Sequence, residues 1–158
     1  MDIILYSDGS ARGNPNGPGG FGTRLEYRSP DGQLHIREFS QGYKKTTNNR
    51  MELLGVIIGL EALIKPCNVT IYTDSQYVCK AFNDNWIEGW IKKGRLSEKT
   101  NPVKNRHLWQ RLLKAMEKHN CTYVWIKGHN GNPGNERCDE LATAAADSDK
   151  LLEDTFGD

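Results

Sequence analysis

Ile3-Ile4-Leu5-Tyr6-Ser7-Asp8-Gly9-Ser10 is an apolar run that ends on a carboxylate. Continuous Ile, Leu and Tyr without solvent-side alternation predicts a strand buried on both faces, near the middle of a sheet. Asp8 before Gly9 and Ser10 has two readings. Asp-Gly commonly opens a turn, whereas a carboxylate at the end of a central strand sits where open α/β sheets keep their sites. The acids downstream decide between them.

Outward from this strand, Ala11 to Gly20 is a turn-rich loop without the Gly-Lys-Ser/Thr of a nucleotide-binding loop. Phe21 to Arg28 and Gln33 to Tyr43 alternate apolar and polar residues around Ser29-Pro30-Asp31-Gly32, which predicts a hairpin and, with the first strand, three antiparallel strands. Thr47 can cap a helix running to about Ile64, with Leu53, Ile57, Leu60 and Ile64 on one face and Pro66 closing it. Val69 to Thr73 is a short buried strand that again ends on an acid, Asp74. A broken helical stretch follows from Ser75, with a loop at Gly94 to Pro102 and a longer helix at about Lys104 to Lys118. Tyr123 to Lys127 is expected as the last strand, and a helix from about Asn135 carries Glu136, Asp139 and Glu140. Residues 147 to 158, five acids opposed by Lys150, are expected to fray as a flexible tail.

A chain of 158 residues suits one domain, and 37% apolar with 26% charged content is that of an ordinary soluble protein. No stretch resembles a membrane span or a signal segment, so the expected location is the cytoplasm. Cys67, Cys79, Cys121 and Cys138 have neither zinc-site nor disulfide-framework spacing and are expected to be reduced and mostly buried. The charge is unevenly placed. Lys92 to Lys118 holds nine basic residues against Glu98 and Glu117, a net +7 that leaves −6 on the rest of a chain totalling +1. A basic segment on an acidic protein is the footprint of a polyanion partner.

Asp8 and Asp74 at strand ends, with Glu52 and Asp139 near helix starts, would meet if the first and fourth strands pack in parallel. Carboxylate oxygens suit hard cations, and two ions about 3.5–4 Å apart can clamp the attacking water and the leaving oxygen of a phosphoryl displacement. Taken singly, Glu52 and Asp139 also read as helix-start acids that complement the macrodipole.

Four motifs occur in order: Tyr6-Ser7-Asp8-Gly9-Ser10, Thr47-Asn48-Asn49-Arg50-Met51-Glu52, Tyr72-Thr73-Asp74-Ser75-Gln76-Tyr77-Val78, and Gly134-Asn135-Glu136-Arg137-Cys138-Asp139-Glu140-Leu141-Ala142. With them the chain resembles type 1 ribonuclease H, of the bacterial kind with a basic protrusion, from about Asp2 to Ala146. The resemblance implies the α/β ribonuclease H fold: a mixed five-stranded sheet, three antiparallel strands then two parallel, with helices on both faces. It implies a catalytic domain over 1–146 that hydrolyses the RNA strand of RNA/DNA hybrids with two Mg²⁺ ions, Mn²⁺ being a substitute, and leaves 3′-hydroxyl and 5′-phosphate ends. Carried over, Asp8, Glu52, Asp74 and Asp139 are the metal-binding acids, and His129 is the loop histidine that assists proton transfer or product release. Asn14, Asn48, Asn49 and Gln76 match positions that read the RNA strand through its 2′-hydroxyls. Capping and turn chemistry explains Asn14 and Asn48 equally well. Lys45, Thr47 and Asn105 match a pocket for a DNA phosphate, with Lys45 where Arg is usual. Trp86, Lys92, Lys93 and Arg95 fall on the protrusion, where Trp86 would meet the DNA sugar face and the cations its phosphates; Trp90 and Trp109 read better as core. The expected partner is the hybrid alone, bound by a monomer with no obligatory protein partner.

Two other classes compete. One is a catalytically silent hybrid-binding module, against which all four acids stand. The other is a nuclease or recombinase with the same metal core acting on a different duplex, since strand-end acids do not choose a substrate.

Overall fold

The computed structural model describes residues 1–13, 15–97 and 101–158. Asn14 therefore lies outside the described residues, as do Glu98 and Lys99 of the basic segment. Three long strands open the chain: β1 (Asp2–Ala11), β2 (Gly19–Arg28) and β3 (Leu34–Tyr43). The helix α1 (Asn48–Glu61) leads to β4 (Asn68–Thr73). Then come α2 (Gln76–Asn83), α3 (Trp86–Lys92), α4 (Arg106–Met116), β5 (Asn120–Trp125) and α5 (Pro133–Ala146).

The sheet runs β3-β2-β1-β4-β5 and places β1 at its centre. β1 pairs antiparallel with β2 and parallel with β4, and β4 pairs parallel with β5. This is the expected mixed sheet. Along β1 the side chains alternate between two helical layers. Leu5 and Ser7 face α1, whose Gly59 and Gly55 lie against them, while Tyr6 faces α5 at Gly134. Ile3, Leu5 and Ser7 are buried, whereas Ile4 and Tyr6 keep some exposure under α5. Burial of β1 is thus complete on one face only.

Thr47 caps α1, its hydroxyl accepting from the Arg50 amide at 3.2 Å. Leu53, Ile57 and Leu60 are buried as expected, but the helix stops at Glu61 and leaves Ile64 88% exposed. Lys65 precedes Pro66, which disfavours helical backbone there, and Lys118 Nζ caps the Ile64 carbonyl at 3.1 Å. β5 starts three residues before the expected Tyr123, because Asn120, Cys121 and Thr122 pair with β4. An edge strand needs no apolar run to do so. α5 likewise starts early: Pro133 occupies its first turn and Asn132 caps it, accepting from the Asn135 amide at 2.9 Å. Trp109 is fully buried and Trp90 packs on it edge-on at 5.3 Å, so both belong to the core. All four cysteines are free, three of them buried.

The C-terminal residues are docked, contrary to the expected fraying. Leu152 bridges to the end of β3, exchanging hydrogen bonds with Lys44 and Gly42 at 2.9 and 3.0 Å. Phe156 packs edge-on against Tyr43 at 5.5 Å, and Asp154 forms an ion pair with Arg50. A charged segment stays ordered when its few apolar residues find core contacts and its acid finds a buried partner.

Candidate active site

β1 and β4 run parallel and deliver Asp8 and Asp74 to the same edge of the sheet, and α1 presents Glu52 to it. Asp8 is not the end of its strand as expected, because β1 continues to Ala11 by pairing with β2, but it lies just beyond the last β1–β4 pair, Tyr6 with Tyr72. One carboxylate oxygen from each of Asp8, Glu52 and Asp74 lies within 4.8 Å of the others. The approach of α1 to β1 depends on Gly9: a Cβ there would sit 2.8 Å from the Glu52 amide nitrogen. The Gly9 amide in turn donates to Asp8 Oδ1 and Glu52 Oε1, both at 2.9 Å, tying the two acids to one backbone group. Thr73 Oγ1 donates to Glu52 Oε2 at 3.4 Å. On the far side the Trp125 indole donates to the Asp74 carbonyl at 2.9 Å, fixing the end of β4.

Three acids this close resist ionising together. Burial pushes the Asp8 carboxyl up to about 8, with the charge of Asp74 adding to it. Burial also raises Glu52 well above the ordinary range, followed by the repulsion of Asp8 and Asp74. Asp74 is raised mainly by burial, and a hydrogen bond with Asp8 and the nearness of His129 moderate this without reversing it. A divalent cation relieves such crowding, and all-oxygen donors at these spacings suit a hard one. Asp8, Glu52 and Asp74 are therefore fit to hold metal.

Asp139, half-buried on α5, and the exposed His129 line the same cavity of about 360 Å³ as these acids, together with Asn48, Asn49 and Gln76. His129 adopts φ +54° in the β5–α5 loop. Beside it, Gly128 lets the loop approach: a Cβ there would lie 2.6 Å from Asp74 Oδ2. Tyr77 and Ser75 also line this cavity; neither was among the expected site residues, although both stand in the Asp74 motif.

The matching family model is RNase H, over residues 1–147. The chain belongs to the ribonuclease H family. It is 62% identical over 154 residues to a ribonuclease H of Lachnoclostridium phytofermentans, covering 98% of both chains. It is 52% identical to that of Salmonella arizonae, covering 91% of this chain and 88% of the relative. Among solved structures it resembles LC9-RNase H1, described as a type 1 RNase H with the type 2 active-site motif, with a TM-score of 0.83 and 30% identity. That match covers 98% of this chain and 78% of the other. As a bacterial-like type 1 ribonuclease H the chain is a nuclease of a metal-dependent family whose members cleave the RNA strand of RNA/DNA hybrids.

The remaining expected residues form two groups. Lys45, Thr47 and Asn105 line a second cavity of about 550 Å³, together with Arg50, Lys104 and Asp154. Thr47 keeps a donor for a ligand while its oxygen caps α1, since a hydroxyl does both. The Asn105 side chain is committed inside the protein: its oxygen accepts from Arg50 at 3.1 Å and its amide donates to Tyr77 Oη at 3.3 Å. Trp86, 39% exposed, with exposed Lys92 and Lys93 and half-buried Arg95, lies on α3 and the turn after it. Among the described residues no helix is long and apolar enough to cross a membrane.

Proposed function

We propose that this ribonuclease H hydrolyses the RNA strand through Asp8, Glu52, Asp74 and Asp139, which hold two Mg²⁺ ions, Mn²⁺ being a substitute. The observation that carries this reading is the meeting of three carboxylates, Asp8 and Glu52 buried and Asp74 half-buried, in one cavity with Asp139, His129 and the polar set Asn48, Asn49 and Gln76. The bound ions supply an activated water and charge stabilisation at the scissile phosphate. The water oxygen joins phosphorus as the bond to the 3′-oxygen breaks, and that oxygen gains a proton, leaving 3′-hydroxyl and 5′-phosphate ends. His129, on an exposed loop at the cavity's rim, assists proton transfer or product release. Asn48, Asn49 and Gln76 read 2′-hydroxyls, with Asn14 assigned to the same task.

The DNA strand is held at a separate place. Lys45 and Thr47 take one of its phosphates, with Asn105 shaping the pocket. Lys45 keeps the charge of the usual Arg without its two-pronged geometry. Trp86, Lys92, Lys93 and Arg95 grip the strand further along. The enzyme acts as a cytoplasmic monomer, with 1–146 as its catalytic unit.

The test presents one labelled RNA strand as single strand, RNA duplex and RNA/DNA hybrid, each with Mg²⁺ and with EDTA. Cutting confined to the hybrid, lost in EDTA, with product 3′ ends that a polymerase extends, is the expected result. Tight binding of the hybrid without Mg²⁺-dependent cutting overturns the catalytic reading, and equal cutting of every duplex overturns the strand-reading one.

A further inference from the structure

The phosphate pocket assigned above has a wall that the family motifs do not supply. The match to the family model ends at residue 147, yet Asp154, Gly157 and Asp158 line the cavity together with Lys45, Thr47 and Lys104. Asp154 is the anchor, its side chain only 6% exposed. Its Oδ2 accepts from Thr46 Oγ1 at 2.8 Å and from Arg50 Nε at 2.8 Å, and its Oδ1 accepts from Arg50 Nη2 at 2.7 Å. This is the paired geometry in which an Arg–carboxylate contact is strongest and most directional. Arg50 has one nitrogen left for the pocket side, and Nη1 donates to Asn105 Oδ1 at 3.1 Å. Asn105 passes the constraint on to Tyr77 Oη, which also receives the Trp109 indole at 3.0 Å. Asn105 has φ +62°, a backbone that Asn tolerates better than most residues but that benefits from being held.

We propose that Asp154 is a positioning residue for DNA-strand binding: it locks Arg50, and through Arg50 the Asn105 turn, so that the Lys45, Thr47 and Lys104 face is already formed when a phosphate arrives. The docked tail is then part of the substrate grip. Without Asp154 the Arg50 guanidinium loses its carboxylate partner and keeps only the bond to Asn105, so it can swing into the cavity or release Asn105. The proposal rests on the reading of this cavity as the DNA-phosphate pocket.

The test compares Asp154→Asn with wild type on a hybrid whose DNA strand carries a single uncharged methylphosphonate, moved one position at a time, well below the melting temperature of both proteins. On the unmodified hybrid Asp154→Asn is expected to raise KM about five- to tenfold with kcat within about twofold. That penalty is expected to vanish when the methylphosphonate sits at the one position where wild type itself binds more weakly. Arg50→Lys, which keeps the charge but not the paired geometry, serves as the second variant and should show the same position-specific loss. A lower melting temperature with unchanged KM, or a KM raised equally on every hybrid, overturns the proposal and leaves Asp154 as a structural clamp. Lys45→Ala is run alongside. If Lys45→Ala and every methylphosphonate leave KM unchanged, the pocket reading itself falls and the proposal with it; if they register and Asp154→Asn does not, the proposal alone fails.

Discussion

Asp8 concentrates the physics of the site in one side chain. It lies on the central strand just beyond that strand's last pairing with β4, shares the Gly9 amide with Glu52, and has its proton affinity raised by burial and by Asp74. Asp8→Asn keeps the shape and removes the ligand charge, so hybrid cleavage in Mg²⁺ should fall by more than about a hundredfold, the scale on which one strong electrostatic contact to a transition state is lost. The same substitution should stabilise the metal-free protein, because it removes one member of a repelling cluster; a higher melting temperature than wild type in EDTA at pH 8 checks this. His129 sits differently, exposed and outside the three-carboxylate cluster. His129→Ala should therefore slow turnover by about ten- to a hundredfold, at or below the low end of general acid–base contributions, while leaving the enzyme active. Steady-state rates decide it, and complete loss of activity would mean that the role assigned to His129 is wrong.

Among the elements, α3 is where binding can be altered with least cost to the fold. Trp86 is partly exposed and lies beside Trp90, at 6.4 Å between ring centroids. Trp86→Ala should raise KM for the hybrid with little change in kcat or melting temperature. Lys93→Ala should lessen the slope of log affinity against log salt by about 1, as loss of one phosphate contact requires; an unchanged slope would place α3 away from the DNA strand. The elements differ in how plainly the sequence announces them. β1, α1 and the acids they carry were legible because apolar periodicity locates a strand or helix, and an acid within it then stands out. That β1 runs past Asp8 to Ala11 was not legible, since its last residues pair only with β2. The start of β5 was hidden, since an edge strand of Asn120, Cys121 and Thr122 lacks an apolar pattern. Arg50 and Asp154 were hidden for another reason. They lie 104 residues apart, and neither residue alone carries a signal for the other. The tail's apolar anchors, Leu152 and Phe156, are too few and too irregular to announce an ordered segment, so its acids read as a solvated end.

At the scale of the whole molecule two charge arrangements pull stability in opposite directions with pH. Asp8, Glu52 and Asp74 have raised proton affinity in the folded, metal-free protein. A carboxyl whose folded pKa is raised favours the fold when protonated, so this contribution is full below about pH 4 and is lost as pH rises through the folded values, near 8 for Asp8. Asp154 behaves oppositely: burial alone would raise it, but the hydrogen bonds from Arg50 and Thr46 outweigh burial and lower its pKa. Its contribution is therefore present above the ordinary Asp range and is lost as pH falls through the lowered value. In EDTA the melting temperature should accordingly decline from about pH 5.5 to 8.5. Divalent cation replaces protons as the partner of the carboxylates, so Mg²⁺ should raise the melting temperature more at pH 8.5 than at pH 5.5 and flatten the decline. Asp8→Asn should flatten it without metal and abolish most of the Mg²⁺ effect, whereas Asp154→Asn should lower the whole curve between these pH values and leave its slope unchanged. Melting curves for the three proteins at two pH values, with and without Mg²⁺, separate the two arrangements. A wild-type slope that Asp8→Asn fails to change would show that the cavity acids are not what sets the protein's response to pH.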